Sequence, residues 1–415
     1  MKIGIVGLGY VGLPLAVAFC EAGHEVIGLD IDSRRVSMLE SGESYVEDIS
    51  SEQVRGMGHL FAATTRYEDL RPADAVVIAV PTPLTRNREP DLGPLISAGT
   101  SLAGVVRAGQ LVVLESTTYP GTTRERLVPL LEESGLAAGR DLHVAYSPER
   151  VDPGRTDYTM KSTPKVVGGL TPACLERAVA LYSEVCDHVI PVSGPDTAEM
   201  TKLLENIFRS VNIALVNELA IVADRMGLDI WEVVDAAATK PYGFMRFDPG
   251  PGMGGHCLPV DPFYLAWRAR EFEVQTEFVE LAGEVNQAMP YFCVEKISHA
   301  LNDHAKPVRG SRIAIIGVSY KPGVGDLRES PALKIMRLLG RYGAQLVYHD
   351  DFVPDLPEQG LSNMPLGEAL SGADAAVIVT AHPDLDVQAI VDTAPLVVDF
   401  RGVTRGIEAK NLVRL

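Results

Sequence analysis

The first thirty residues constrain this chain's architecture more than any other stretch. Lys2-Ile3-Gly4-Ile5-Val6 is a short apolar run of the kind buried in parallel sheets. Gly7-Leu8-Gly9-Tyr10-Val11-Gly12 follows at once, then a helical stretch through Pro14 to Ala22. A second apolar run, 25–29, ends at Asp30, which lies 18 residues after Gly12. Strand, glycine turn, helix, strand and acid together make a βαβ dinucleotide-binding unit. The glycines let a pyrophosphate lie against backbone at a helix N-terminus, and Asp30 can accept from adenosine ribose hydroxyls. A carboxylate there repels a 2′-phosphate and so favours NAD, while Arg34 and Arg35 leave NADP open. The same glycines interrupt the apolar N-terminus, and no cleavage site follows, so it reads as a first strand rather than a signal peptide.

Further parallel-strand signals follow. Residues 75–80 end in Pro81-Thr82-Pro83, residues 111–115 in Ser116-Thr117-Thr118, and residues 143–146 in Ser147-Pro148-Glu149-Arg150. Ligands of open α/β sheets bind beyond the carboxyl ends of the strands, which points Pro81, Thr82, Thr117 and Glu149 toward the cofactor edge. Each could also be an ordinary cap or turn former.

A chain of 415 residues exceeds one hydrophobic core and fits two or three domains. A net charge of −18 argues against a nucleic-acid partner, and requires any anionic substrate to be held by a local cationic pocket. The five cysteines are scattered, without CxxC pairs, so neither disulfides nor a metal site is indicated and a reducing cytoplasm is the natural compartment. No apolar stretch is read as long and uninterrupted enough to span a membrane.

From 196 to 226 the pattern becomes one long helix, stopped by Gly227. Leu203, Ile207, Val211, Leu215 and Leu219 recur at helical spacing and supply an apolar face. Lys202 and Asn206, four apart, project from one side. Helical sequence also covers 230–238 and 262–289. Between these lies Gly250-Pro251-Gly252-Met253-Gly254-Gly255-His256-Cys257-Leu258-Pro259-Val260-Asp261-Pro262. Five glycines and prolines before the cysteine forbid a regular helix and permit close backbone approach. With a helix beginning near Pro259, Asp261 and Cys257 could share one cavity, which suits a nucleophilic thiol. The alternative is a small buried cysteine in a surface loop. His256 beside it reads as a substrate contact or loop packer, since neighbours in an extended loop point apart.

A second α/β pattern begins near Arg309, with strands at 312–317, 345–348, 375–380 and 396–400 and a helix opened by Ser330-Pro331. The expected architecture is α/β: two Rossmann-like parallel-sheet domains, 1–195 and 303–415, joined by an all-helical domain, 196–302. Its long helix suits packing in a homodimer.

Six stretches in order carry a family resemblance: Gly7 to Gly12, Glu115-Ser116-Thr117, Ser147-Pro148-Glu149, Lys202-Leu203-Leu204-Glu205-Asn206, Gly254 to Asp261, and Tyr320-Lys321 with Asp326-Leu327-Arg328-Glu329-Ser330. Over essentially its whole length the chain resembles the nucleotide-sugar dehydrogenases, the group of UDP-glucose and GDP-mannose dehydrogenases. The resemblance implies oxidation of a sugar C6 alcohol to a carboxylate with two NAD molecules and the thiol of Cys257, through a thiohemiacetal and a thioester. It implies Lys202 and Asn206 at the oxyanion, Glu149 activating water, and a water held between Thr117 and Asp261. Lys321 looks like a substrate contact, Arg328 like a cofactor contact, and Arg401 like an arginine that can reach a neighbouring subunit's substrate. Arg150 (standing where the UDP-glucose branch usually has Phe), Arg246 (either a phosphate contact or a residue at a subunit edge), Gly254 and His256 complete the expected substrate set, and Arg35 the cofactor set. His256 and Val260 depart from the UDP-glucose branch, and Tyr242-Gly243-Phe244-Met245 with Pro249 to Gly252 resembles the branch acting on 2-acetamido sugars. UDP-N-acetylglucosamine is favoured, with the N-acetylmannosamine, N-acetylgalactosamine and glucose substrates as alternatives. A non-catalytic nucleotide-sugar sensor is the rival class.

Overall fold

A computed structural model describes residues 1–46, 48–85, 87, 89–151, 157–255 and 260–415. His256, Cys257, Pro153 and Gly154 therefore lie outside the described residues. The rest divides into two compact units, Met1–Glu205 with Phe263–Gln275, and Asn206–Pro262 with Thr276–Leu415. The segment 196–302 is shared between them.

The first unit is built on an eight-stranded sheet: β1 Lys2–Val6, β2 Glu25–Leu29, β3 Phe61–Thr64, β4 Ala75–Ile78, β5 Leu111–Leu114, β6 His143–Tyr146, β7 Lys165–Gly169 and β8 Val189–Val192. Their order is β3-β2-β1-β4-β5-β6-β7-β8. Ladders are parallel except β6 with β7, which is antiparallel. Alternate side chains feed two cores. Ile3, Ile5, Val77 and Val113 pack with Phe19 on one face, and Val6, Val76, Ile78 and Val112 pack with Leu102 and Leu127 on the other. Burial on both faces is why these strands read as continuous apolar runs. β3, β7 and β8 escaped the sequence reading. β3 is only partly buried, β7 opens on a lysine and closes on two glycines, and β8 contains Pro191, a residue tolerated at a sheet edge.

The second unit carries a parallel sheet of β9 Arg312–Ile316, β10 Gln345–His349, β13 Ala375–Ile378, β14 Val397–Asp399 and β15 Leu412–Arg414, in the order β10-β9-β13-β14-β15. A small antiparallel pair, β11 Asp355–Leu356 and β12 Leu361–Ser362, accompanies it. Trp231, Met289, Phe292 and Leu301 pack with Ile313, Ile315, Ile335 and Val377 on one face, while Ala314, Ile316, Ile378 and Ile390 close the other. The single helix expected over 262–289 is two, Asp261–Arg270 and Glu277–Asp303. The chain breaks between them, with Glu273 in the left-handed region (φ 59°).

The helix Pro195–Met226 is continuous. Its expected apolar face is not one face. Leu203 and Ile207 are buried, but Leu215 and Leu219 are exposed. Steps of four residues at 3.6 per turn drift about 40° each, so this row winds out of the core. The buried row continues instead through Ala214, Ala220 and Ala223. Contrary to the sequence reading, this helix is long and apolar enough to cross a membrane by length and composition, although nearly half of its most apolar window is packed inside the protein. Asp196, Glu199, Lys202 and Glu205 also charge its first turns.

Candidate functional site

The nucleotide end of the first unit is set by backbone sterics. Gly7 has φ 93°, and a Cβ on Gly12 would lie 1.8 Å from the Gly7 carbonyl oxygen, so the turn closes only with glycine at both places. A Cβ on Gly9 would meet nothing within 4 Å, leaving open space above the turn. The helix that follows, Gly12–Glu21, has Val11 at its N-cap with no side-chain cap and no acid in its first turn. Its dipole is thus offered to an anion, although the Leu13 N–H already donates to Gly9 O (3.1 Å). Asp30, buried, accepts from Leu8 N (3.1 Å) and Asp32 N (2.9 Å) and pairs with Arg35 at 3.4 Å. The Arg35 guanidinium also lies over Tyr45, whose hydroxyl donates to Leu8 O. Arg34 is held by Asp32. Both arginines are spent on carboxylates, which disfavours a 2′-phosphate and fits NAD. Tyr45 left no motif in the sequence.

At the carboxyl ends of β4 and β5, Thr82 Oγ1 donates to Thr117 O at 2.6 Å, and Tyr264 OH donates to Thr82 O. Thr82 is thus tied to Thr117, with exposed Pro81 beside it. Beyond β6, Glu149 Oε1 accepts from Arg150 N (2.8 Å) and Val151 N (2.6 Å), and Oε2 from Lys165 Nζ (3.2 Å). Burial opposes the charge on Glu149, yet Lys165, the Val151 N–H and Lys202 hold its pKa below the usual carboxylate range. Arg150 pairs with Glu205 at 2.7 Å. Glu199, one turn before Lys202, accepts from Gly121 N, Thr123 N and Thr123 Oγ1 at 2.6–2.8 Å and pins the segment that follows Thr117. Burial pushes its carboxyl up to about 7 against those hydrogen bonds. Neither Lys165 nor Glu199 stood out in the sequence, because each looks like an ordinary surface charge.

In the second unit, Asn206 Nδ2 donates to Asp261, and both are buried. The described part of the glycine-rich loop is tethered at Gly250 and Gly255. Gly250 N donates to Asn217 Oδ1 (2.9 Å), Asn217 to Asn286 (3.0 Å), and Gly255 N to Arg328 O (3.0 Å). A Cβ on Gly254 would come within 2.7 Å of Tyr320, so the loop packs where only glycine fits. Arg328 pairs with Asp326, and Lys321 Nζ lies 5.7 Å from the Tyr320 ring centre. Arg401 donates from Nε to Val379 O (2.6 Å), and burial lowers its pKa. Arg246 pairs with Asp235 and Asp248, and Asp235 also takes Arg405.

Residues 1–186 match the NAD binding domain of the UDP-glucose/GDP-mannose dehydrogenase family, residues 196–288 its central domain, and residues 314–406 its UDP binding domain. The UDP-N-acetyl-D-glucosamine 6-dehydrogenase of Pseudomonas aeruginosa is 36% identical over 390 residues, spanning 92% of this chain and 91% of that protein. The UDP-N-acetyl-D-mannosamine dehydrogenase of Escherichia coli K12 is 37% identical over 407 residues, spanning 93% and 94%. A solved UDP-N-acetyl-D-mannosamine dehydrogenase from Pyrococcus horikoshii superposes with a TM-score of 0.92 at 33% identity, covering 100% of this chain and 99% of that one.

Proposed function

The chain belongs to the UDP-glucose/GDP-mannose dehydrogenase family, and we propose that it oxidises the C6 alcohol of a UDP-2-acetamido sugar, UDP-N-acetylglucosamine first, to the uronic acid. The observation that carries this reading is full-length likeness to a relative named for that substrate. The UDP-N-acetylmannosamine reading has its own support, because relatives named for that sugar are equally similar and a structure so named superposes closely.

The net reaction takes the alcohol, one water and two NAD to the carboxylate, two NADH and three protons. Bound NAD supplies the hydride acceptor at each of the two oxidation stages. Cys257 captures the intermediate aldehyde, which splits the oxidation into two separable steps and retains a reactive species. Lys202 donates a charged N–H to the C6 oxyanion. An amide has two N–H groups; Asp261 fixes one of Asn206's, and the second serves the same oxyanion. Glu149, held as a carboxylate, takes a proton from the water that hydrolyses the thioester. Thr117 and Asp261 hold a further water, and Lys321, Arg150, Arg246, Gly254, His256 and Arg401 serve the substrate. A second copy of the chain packs on the exposed apolar residues of the long helix, Leu204, Phe208, Leu215 and Leu219; a monomer in sedimentation would remove that part.

The test is NADH formation by the purified protein with each of four UDP-sugars, N-acetylglucosamine, N-acetylmannosamine, N-acetylgalactosamine and glucose. Two NADH per acetamido sugar supports the reading, and preference for UDP-glucose overturns the branch. Cys257→Ala should abolish acid formation while NAD still binds; full acid production by that variant sinks the covalent route.

A further inference from the structure

The first unit contains one reversed joint, and its register has a chemical result. β6 and β7 pair Ala145 with Gly169 and Tyr146 with Gly168. Continuing that antiparallel register past the end of β6 sets residue 149 opposite residue 165. In a parallel strand the first residue lies at the amino edge of the sheet, far from the ligand edge. Because β7 runs backwards beside β6, its first residue instead arrives at the carboxyl end of β6. That residue is Lys165, buried, with Nζ 3.2 Å from Glu149 Oε2 and 3.2 Å from Glu115 Oε1.

The surroundings leave the lysine few alternatives. Glu115, at the end of β5, also accepts from Tyr182 OH, and the Tyr182 ring centre lies 5.2 Å from Lys165 Nζ. Among the described residues Glu115 Oε2 is buried with no hydrogen-bond partner. A lone buried cation between two buried carboxylates leaves one negative charge in excess, which is costly unless a proton joins the cluster. The partnerless oxygen places that proton on Glu115 rather than on Glu149, whose two oxygens are both satisfied by donors. Burial, with Glu149 adding to it against Lys165, raises the Glu115 pKa. The other titratable groups acting on the cluster are Cys186, whose thiol burial pushes up to about 11, and Lys202, which favours ionised Glu149.

We propose that Lys165 is the positioning residue of the Glu149 base: delivered by the reversed strand, it fixes Glu149 Oε2 and keeps that group a carboxylate, while Glu115 holds the proton of the buried cluster. This rests on Glu149 acting as base in the proposed oxidation. A proton on Glu149 would occupy the lone pair needed to receive one from water, so the lysine acts on rate through another residue and touches no reacting atom.

Two readouts test it, one requiring turnover and one not. In the pH profile of kcat for NADH formation, Lys165→Met should raise the acid limb by about one unit, lowering the rate about tenfold at pH values below that limb and little near neutrality, one unit being a factor of ten. Lys165→Arg should restore the limb, and Glu115→Gln should not move it upward. NAD affinity should be unchanged in all three variants. Independently, the ¹³C resonance of the Glu149 carboxyl, assigned by its loss in Glu149→Gln, should titrate below the usual glutamate range in the wild type and higher in Lys165→Met. A wild-type protein that turns over no UDP-sugar refutes the functional reading, and the carboxyl titration still decides the role of Lys165. Coincident titrations in wild type and Lys165→Met, or a wild-type Glu149 titrating above the usual range, overturn the inference even if Lys165→Met folds poorly.

Discussion

The two glycine turns, at Gly7 in the first unit and Gly317 in the second, begin alike and end differently. Each follows a buried parallel strand, each glycine has positive φ, and each would drive a Cβ into a carbonyl at the end of a neighbouring strand, Ala79 O or Thr380 O. Each donates its N–H to the residue ending the second strand, Leu29 O or His349 O, at 2.8 Å. An aspartate follows in both, Asp30 and Asp350. After Gly7 the helix starts at Gly12, and its uncapped N-terminus is left for a ligand. After Gly317 the helix starts only at Pro331, and residues 318–330 form a loop. Asp350 serves that loop: it accepts from Val318 N, Ser319 N and Phe352 N and from His382 Nε2 at 2.7–3.1 Å. Asp30 braces its turn in the same way, through Leu8 N and Asp32 N, but there the helix and its dipole follow at once, whereas Asp350 braces a longer loop bearing Tyr320, Lys321 and Arg328. The distance from turn to helix, not the turn, separates the two.

The largest effect on NAD affinity should come from Gly12→Val, which puts side-chain atoms on the Gly7 carbonyl. NAD affinity measured by calorimetry should fall at least about a hundredfold, some 2.7 kcal/mol. Gly317→Ala should lower the melting temperature but leave NAD affinity within about twofold, and an equal loss of NAD binding would break the contrast. Asp350→Ala strands three N–H donors and should cost about 3 kcal/mol in denaturant unfolding. Asp30→Ala should instead weaken NAD about tenfold, about 1.4 kcal/mol; unchanged affinity would mean the ribose is held elsewhere. Glu199 supplies a pH test within the first unit. Its folded pKa, about 7, lies above the ordinary 4.5, so its stabilising contribution is complete below about pH 4.5 and is lost as pH rises through 7. The loss amounts to about 3 kcal/mol, and Glu199→Ala should flatten that part of the stability-pH curve. The smallest effect belongs to Arg34→Ala, whose partner is Asp32. NAD affinity should stay within about twofold, and a large drop would give Arg34 a cofactor role.

Strands buried on both faces, such as β1, β4 and β5, were legible because burial demands continuous apolar runs. The βαβ unit was legible because its glycines answer to sterics alone. Lys165 was not legible, since its meaning lies in strand direction, and no local pattern announces that β7 runs backwards. Glu199 was hidden for a related reason: its partners Gly121 and Thr123 are distant in sequence. The apolar row through Leu219 misled because spacing by four was carried further than helical pitch allows. Asp261 was placed one turn from Cys257 on the assumption of a helix from Pro259; the described helix begins at Asp261 itself.

The loop of residues 318–330 is clamped at both ends. Asp350 holds its first N–H groups, Thr380 Oγ1 donates to Ser319 O, and Ser330 Oγ donates back to Val318 O at 2.7 Å. A loop whose endpoints are independently anchored can change its interior without transmitting the change to the sheet. For evolution or for an engineer, that leaves exposed interior positions such as Pro322 open to exchange without disturbing the sheet, while Tyr320 and Arg328, which meet Gly254 and Gly255, are tied to the neighbouring loop.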